Sequence, residues 1–189
     1  MPGIKRPPMV FSYSEIKELI LSIGDDLDRF ILAVAYANGT RVGELKGLRV
    51  KDIEIDADFV YITTPVLKKR GLVVPKRAPP ISRVGEPWLS GTIMDFIKGK
   101  EPSLVLIPYS KRTLQNRFQE YADCTSHSFR HTRAMHMIRH FKMSMEKVKL
   151  FFRLSPSGLV AWIDTYGHLD TEDLKEHYRD IGMAKKKEV

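Results

Sequence analysis

The sequence predicts an α+β fold, a mainly helical domain with a small three-stranded antiparallel sheet near residues 50–82. Three observations predict it. Apolar residues recur at helical spacing before residue 50 and again after residue 86. Between these stretches the pattern switches to the β-branched and aromatic alternation of strands. The chain has 189 residues and is 43% apolar, enough for one domain with a substantial core.

Residues 1–11, rich in proline, read as an extended lead-in. Ser12 and Glu15 form a capping-box pattern, and Ile16, Leu19, Ile20 and Ile23 follow on one helical face, with Gly24 as the expected C-cap. A second helix carries Leu27, Phe30, Ile31, Val34 and Ala35 inward and breaks at Asn38-Gly39. Thr40 is placed to cap a short helix through Leu45 that stops at Gly47. Ile53 and Ile55 then alternate with polar neighbours, Asp56-Ala57-Asp58 reads as a turn, and Phe59 to Thr63 as a strand. A third strand around Leu72-Val73-Val74 pairs back through a connection near Lys69-Arg70-Gly71. Pro65, Pro75, Pro79 and Pro80 confine these strands to edges or bulges.

Helices resume at Pro87, a residue suited to a first turn, with Trp88, Leu89, Ile93, Phe96 and Ile97 behind it. Ser110 caps a helix with Leu114, Phe118 and Tyr121. Thr125 or Ser126 caps the next, and Ser144 another with Val148, Phe151 and Phe152. Ser155-Pro156 opens a helix ending at Tyr166-Gly167, and residues 171–181 form a last one before a basic tail, 183–189.

Lys and Arg number 31 against 23 Asp and Glu, a net charge of +8 and a pI near 9.5. That balance favours a polyanionic partner, of which nucleic acid is the commonest. A single cysteine, Cys124, excludes an internal disulfide framework and a cysteine-built zinc cage, and suits a reducing compartment. No apolar run approaches the ~18 residues of a membrane span, and the N-terminus lacks the apolar stretch of a secretory signal. The expected setting is cytoplasmic.

Several polar residues sit awkwardly for a plain helical protein. Arg41 follows a turn at the start of an otherwise apolar helix, His127 and Arg130 share one helix face, and Lys68-Lys69-Arg70 falls at a hairpin tip. Arginine offers a planar fork to two phosphate oxygens, and lysine a compact proton donor. Each feature alone has an ordinary explanation: a solvated arginine, a chance helical pair, a charged strand edge. His131, His136 and His140 lack ligand partners at metal spacing, Cys124 reads as a small buried hydrophobe, and Trp88 and Trp162 as core. Glu44 reads as orienting Arg41 or another helix.

Order and wording lift these residues above chance. Asn38-Gly39-Thr40-Arg41-Val42-Gly43-Glu44-Leu45 resembles the first arginine motif of the tyrosine recombinases, the phage-integrase and Xer family. His127-Ser128-Phe129-Arg130-His131-Thr132 resembles that family's H-x-x-R-H-T box. Asp164-Thr165-Tyr166-Gly167-His168-Leu169 is similar to the segment around its nucleophile. The resemblance covers roughly residues 12–180 and implies a catalytic domain over 12–182.

The resemblance implies a site-specific recombinase that cuts and rejoins DNA through a 3′-phosphotyrosyl intermediate, with no metal, ATP or other cofactor. Arg41 and Arg130 would hold the non-bridging oxygens, His127 would assist proton transfer, and Lys68 would protonate the leaving oxygen. Lys69 is the next candidate for that lysine, and Lys76 a weaker one. Tyr166 is preferred as nucleophile over Tyr178, because its D-T-Y-G-H-L context matches and it lies nearer Arg130. With Tyr178 instead, His168 would become the second active-site histidine. With Tyr166, the segment expected to carry that histidine reads Phe152-Arg153-Leu154-Ser155, which puts Arg153 in its place.

Lys69, Arg70, Lys76, Arg77, Lys111 and Arg112 are the expected backbone contacts to double-stranded DNA. Dimers or tetramers on DNA are expected, with helix 171–181 as a packing element. The competing expectations are a weak or inactive DNA-binding protein of the same fold, and a type IB-like topoisomerase.

Overall fold

The computed structural model describes residues 10–67, 73–77 and 80–152, with backbone alone at 65–67, 73–77 and 150. The chain begins with α1 (Tyr13–Ser22) and α2 (Asp26–Asn38). The Ser12–Glu15 capping box forms as expected: the Ser12 hydroxyl accepts from the Glu15 amide at 3.2 Å, and Glu15 Oε2 accepts from the Ser12 amide at 2.7 Å. Gly24 is not the cap. The helix ends one residue earlier, at Ile23, in extended conformation (φ −67°, ψ 120°), and that needs no glycine.

α2 is the central element. Every residue from Phe30 to Asn38 is buried, because Phe30-Ile31-Leu32-Ala33-Val34-Ala35 is apolar all round rather than on one stripe. It packs against α4 (Pro87–Ile97) and α6 (Ser126–Arg139). Gly39 stops it in the left-handed region (φ 55°), a conformation that favours glycine. The short α3 (Val42–Leu45) follows. Its cap is Arg41 rather than Thr40: the Arg41 amide donates to Glu44 Oε2 at 2.9 Å, the carboxylate half of a capping box.

The sheet contains the expected antiparallel trio β1 (Ile53–Ile55), β2 (Phe59–Leu67) and β3 (Val73–Arg77), with β2 central. A fourth strand, β4 (Ile81–Ser82), also pairs with β2. Val60 pairs with Ile55 on one side and Ile81 on the other, so β1 and β4 flank opposite edges. The β3 pairings end with Thr63 opposite Arg77, and the β4 pairings start with Val60 opposite Ile81. The pairing register along β2 therefore differs by one residue between β3 and β4. Pro65 lies directly opposite Pro75. Neither has an N–H, so this pair is accommodated where antiparallel partners exchange no hydrogen bonds.

α5 (Lys111–Ala122) is capped by Ser110, whose hydroxyl accepts from the Thr113 amide at 3.1 Å, and α7 (Met145–Phe152) follows α6. No helix among the described residues is long and apolar enough to cross a membrane.

Two polar constructions hold α6. Arg133, 2% exposed, meets Glu86 at the N-cap of α4 in a two-pronged pair, with Nη2 to Oε2 at 2.7 Å, and its guanidinium lies 5.0 Å from the centre of the Tyr36 ring on α2. Burial works against the Arg133 charge, but the Glu86 carboxylate outweighs it and holds the pKa above the ordinary arginine value. One turn on, His136 Nε2 lies 2.9 Å from the Phe11 carbonyl, and Nδ1 lies 2.8 Å from the Tyr36 hydroxyl. A carbonyl only accepts, so Nε2 carries the proton and the Tyr36 hydroxyl donates to Nδ1. The Phe11 amide also donates to Thr132 Oγ1 at 3.2 Å, tying the lead-in to α6.

Glu86→Gln strands a buried guanidinium and should lower the unfolding free energy by about 3–5 kcal/mol. The double variant Glu86→Gln/Arg133→Met should regain most of it, as read from urea unfolding followed by circular dichroism. His136 gives a second test. Burial first, then the Arg133 and His140 charges, lower its pKa to about 4, against the opposing bond to Phe11. The unfolded chain thus binds a proton near pH 6.5 that the folded chain does not bind until about pH 4. Its contribution is complete above about pH 6.5 and is lost progressively as the pH falls towards 4. Unfolding free energies measured between pH 7 and 5 should fall less steeply in His136→Gln than in the wild-type chain.

Candidate active site

Residues from two neighbouring segments converge where α2 ends and α6 begins. The left-handed turn at Gly39 aims its carbonyl at α6, and Arg130 Nη1 donates to it. Two residues later Arg41 stands in extended conformation (φ −75°, ψ 149°) with an exposed side chain. Its backbone is pinned from both sides, by its own amide to Glu44 Oε2 and by the Glu44 amide to the Arg41 carbonyl at 2.8 Å. Glu44 is 6% exposed and acts on the Arg41 backbone, the orienting role expected of it.

On α6, His127 and Arg130 share a face, three residues apart. The helix starts after Thr125 without a side-chain cap. Arg130 is half-buried and His127 exposed. The His127 pKa is lowered, first by partial desolvation of its ring, then by the Arg130 and Arg41 charges. Both guanidinium groups therefore bear on one imidazole, and the two sequence motifs that carry them are brought together.

Next to this trio, His131 is 7% exposed, and its ring stands edge-on to that of His127, with centroids 4.0 Å apart and planes at 82°. Burial, then His127 and Arg130, lower its pKa to about 4, so it is neutral at pH 7. Asn38 and Thr40, which flank Gly39, are buried, and their side-chain polar atoms find no hydrogen-bond partner. Among the described residues no three His, Cys, Asp or Glu side chains are grouped to hold a metal ion.

β2 packs against α3, the helix that Arg41 caps, and runs out to Leu67, which pairs with Val73. Lys68, Lys69 and Arg70 lie outside the described residues. So do Arg153, Tyr166, His168 and Tyr178, and with them Trp162 and helix 171–181. Lys76 and Arg77 lie on β3, opposite Thr64 and Thr63. Lys111 and Arg112 are exposed in the first turn of α5, where the helix dipole already favours anions. Cys124 is buried, as expected, and burial raises its thiol pKa to about 11. Trp88 is only partly core: its Nε1–H donates to the Tyr13 hydroxyl at 3.0 Å.

Sequence reasoning passed over three contributors. The Gly39 carbonyl is a backbone group and leaves no side-chain signal. The Arg133–Glu86 pair joins segments far apart in the chain. His131 had a signal, its place four residues after His127 on the same helix face.

Arg41→Ala should raise the His127 midpoint towards the ordinary histidine value near 6.5, because a repelling charge is removed. An NMR titration of the imidazole resonances measures this, and a lower midpoint would contradict the placement of Arg41.

A family model for the phage integrase family matches residues 15–149. The tyrosine recombinase XerC of Escherichia coli O157:H7 (strain EC4115 / EHEC) is 27% identical over 186 residues, covering 90% of this chain and 59% of XerC. The chain thus spans about three fifths of that relative's length. Among solved structures, XerA recombinase superposes with a TM-score of 0.66 at 20% identity, over 96% of this chain and 67% of XerA. XerH bound to palindromic difH substrate, in a post-cleavage complex, gives 0.62 at 13% identity, over 92% of this chain and 53% of XerH. These two likenesses establish a shared fold. The family match takes in both the Arg41 and the His127–Arg130 motifs and most of the chain, and by it this protein belongs to the phage integrase family of tyrosine recombinases.

Proposed function

We propose that this protein is a site-specific DNA recombinase that cuts and rejoins strands through a 3′-phosphotyrosyl intermediate, with Tyr166 as nucleophile. The observation that carries the reading is the convergence of Arg41 and Arg130 on His127. A phosphodiester undergoing attack gathers charge on its non-bridging oxygens, and two fixed guanidinium groups stabilise that charge as it develops. Arg130 has a guanidinium tied to Gly39, so it is oriented before substrate arrives, and the anchored Arg41 backbone fixes where its exposed side chain starts.

His127, flanked by two cations, resists a charge of its own and serves at neutral pH as a hydrogen-bonding and proton-transfer group. The Tyr166 hydroxyl passes its proton to neutral His127 as its oxygen attacks phosphorus, a phosphotyrosyl bond forms, the bond to the 5′ oxygen breaks, and that oxygen leaves with a proton from Lys68. Arg153 donates a hydrogen bond to the phosphate in place of the second histidine. In the reverse step a 5′-hydroxyl from a partner strand displaces the tyrosine, so bond energy is conserved without ATP. Lys69, Arg70, Lys76, Arg77, Lys111 and Arg112 hold the duplex backbone, with two or four protomers assembled on paired sites through helix 171–181.

The test is a nicked suicide duplex taken from the DNA flanking the reading frame. A covalent protein–DNA adduct should form and resist SDS, and Tyr166→Phe should abolish it. An adduct that survives in Tyr166→Phe and vanishes in Tyr178→Phe moves the nucleophile to Tyr178. Binding without any adduct makes the protein a DNA-binding member of the fold, and an adduct without joining of two sites makes it a topoisomerase. Arg41→Ala and Arg130→Ala should each slow cleavage about 10²–10³-fold, while filter binding changes far less, since one phosphate contact among many is lost. An equal loss of binding and cleavage would contradict these roles.

A further inference from the structure

Two of the trio, Arg41 and His127, are exposed, and His127 is the one carried on a helix. It is exposed, in the first turn of α6, and an imidazole there has several accessible rotamers. Arg130 is tied to Gly39, and the Arg41 backbone is anchored through Glu44, but neither contact fixes the imidazole. The contact that bears on its orientation comes from within its own helix. Side chains on a helix lean towards its N-terminus, so a residue at i+4 lies over the residue at i. His131 is such a residue, and unlike His127 it is buried. Its ring meets the His127 ring edge-to-face at 4.0 Å.

We propose that His131 is a positioning residue: its buried ring is the wall that seats the His127 imidazole towards the phosphate site. The inference rests on the reading of His127 as a group that acts at that phosphate. Edge-to-face contact restricts the tilt of the exposed ring while leaving its nitrogens open to a ligand. The charged or titratable groups that bear on the pair are Arg130, from the same helix, and Arg41, from the segment before α3. A neutral His131 adds no third positive charge to them. An aromatic ring at this position is needed for shape, and its nitrogens are not needed for chemistry.

Two measurements on the full chain test this. In single-turnover cleavage of the suicide duplex, His131→Ala should slow adduct formation roughly tenfold with unchanged DNA binding, while His131→Phe stays within about twofold of wild type. In a His127→Ala background, His131→Ala should have no further effect, because the residue acts only through His127. A further slowing there, or failure of His131→Phe to restore the rate, would overturn the proposal. The second measurement needs no DNA. By NMR, the His127 midpoint should move towards that of a free imidazole in His131→Ala and stay in place in His131→Phe. An unmoved midpoint in His131→Ala would also overturn it. If His131→Ala does not fold, His131→Leu fills the volume without a ring and is held to the same outcomes. If the wild-type chain gives no adduct at all, the recombinase reading fails, and the NMR measurement alone decides whether His131 seats His127.

Discussion

The buried ion pair between Arg133 and Glu86 fixes the helix on which the candidate site depends. A guanidinium taken out of water is tolerated only against an opposite charge with good geometry, so α6 has one rotational setting in which Arg133 meets Glu86 and lies against Tyr36. Successive residues on a helix are rotated by about 100°, so a step of three falls about 60° short of a full turn. Along α6 that drift takes His127, Arg130 and Arg133 from exposed through half-buried to buried. Locking the buried end of this stripe sets the direction of the exposed end. The His136 bonds to Tyr36 and Phe11, one turn further on, hold the same setting against rotation.

The second constraint comes from α2. Because that helix is apolar all round, it must run through the core, and its end at Gly39 is delivered to a defined place. The left-handed glycine turns the chain sharply, leaves its carbonyl for Arg130, and puts Arg41 two residues downstream. One glycine conformation thus positions one arginine through a hydrogen bond and the other through chain continuity. Thr40 and Asn38 beside it are buried with unsatisfied polar atoms, a cost this tight turn carries.

What the sequence made legible was local. The Ser12–Glu15 box, the all-apolar α2 and the Ser110 cap each involve residues a turn apart, and periodicity or a short motif reports them. The His127–Arg130 pair was legible for the same reason, and its meeting with Arg41 was foreseen only through the resemblance of the two motifs. Less was legible where tertiary packing decides. β4 is two residues long, too short for any alternation, and exists because Val60 offers a free edge. Gly24 looked like a helix cap, yet the chain leaves α1 in an extended conformation. The Arg133–Glu86 pair bridges two helices, and neither residue stands in a pattern that names the other.

The arrangement of acidic groups explains why positive charge gathers here. Two buried carboxylates hold the segments that carry the site, those of Glu44 and Glu86. Glu44 Oε2 accepts from the Arg41 amide, so it steadies the backbone of the arginine. Glu86 is taken by Arg133, deeper in the helix packing. Each acid therefore serves architecture, and the potential it leaves at the surface is seen by His127, whose pKa both Arg41 and Arg130 lower. A phosphodiester entering this region would meet the Arg130 guanidinium already oriented and a field already of the right sign, which is what stabilising a charge developing at phosphorus requires. Burial first, and then neighbouring positive charge, lowers the pKa of both His127 and His131. The fold thus concentrates its charge in arginines and leaves the His127 imidazole to exchange a proton.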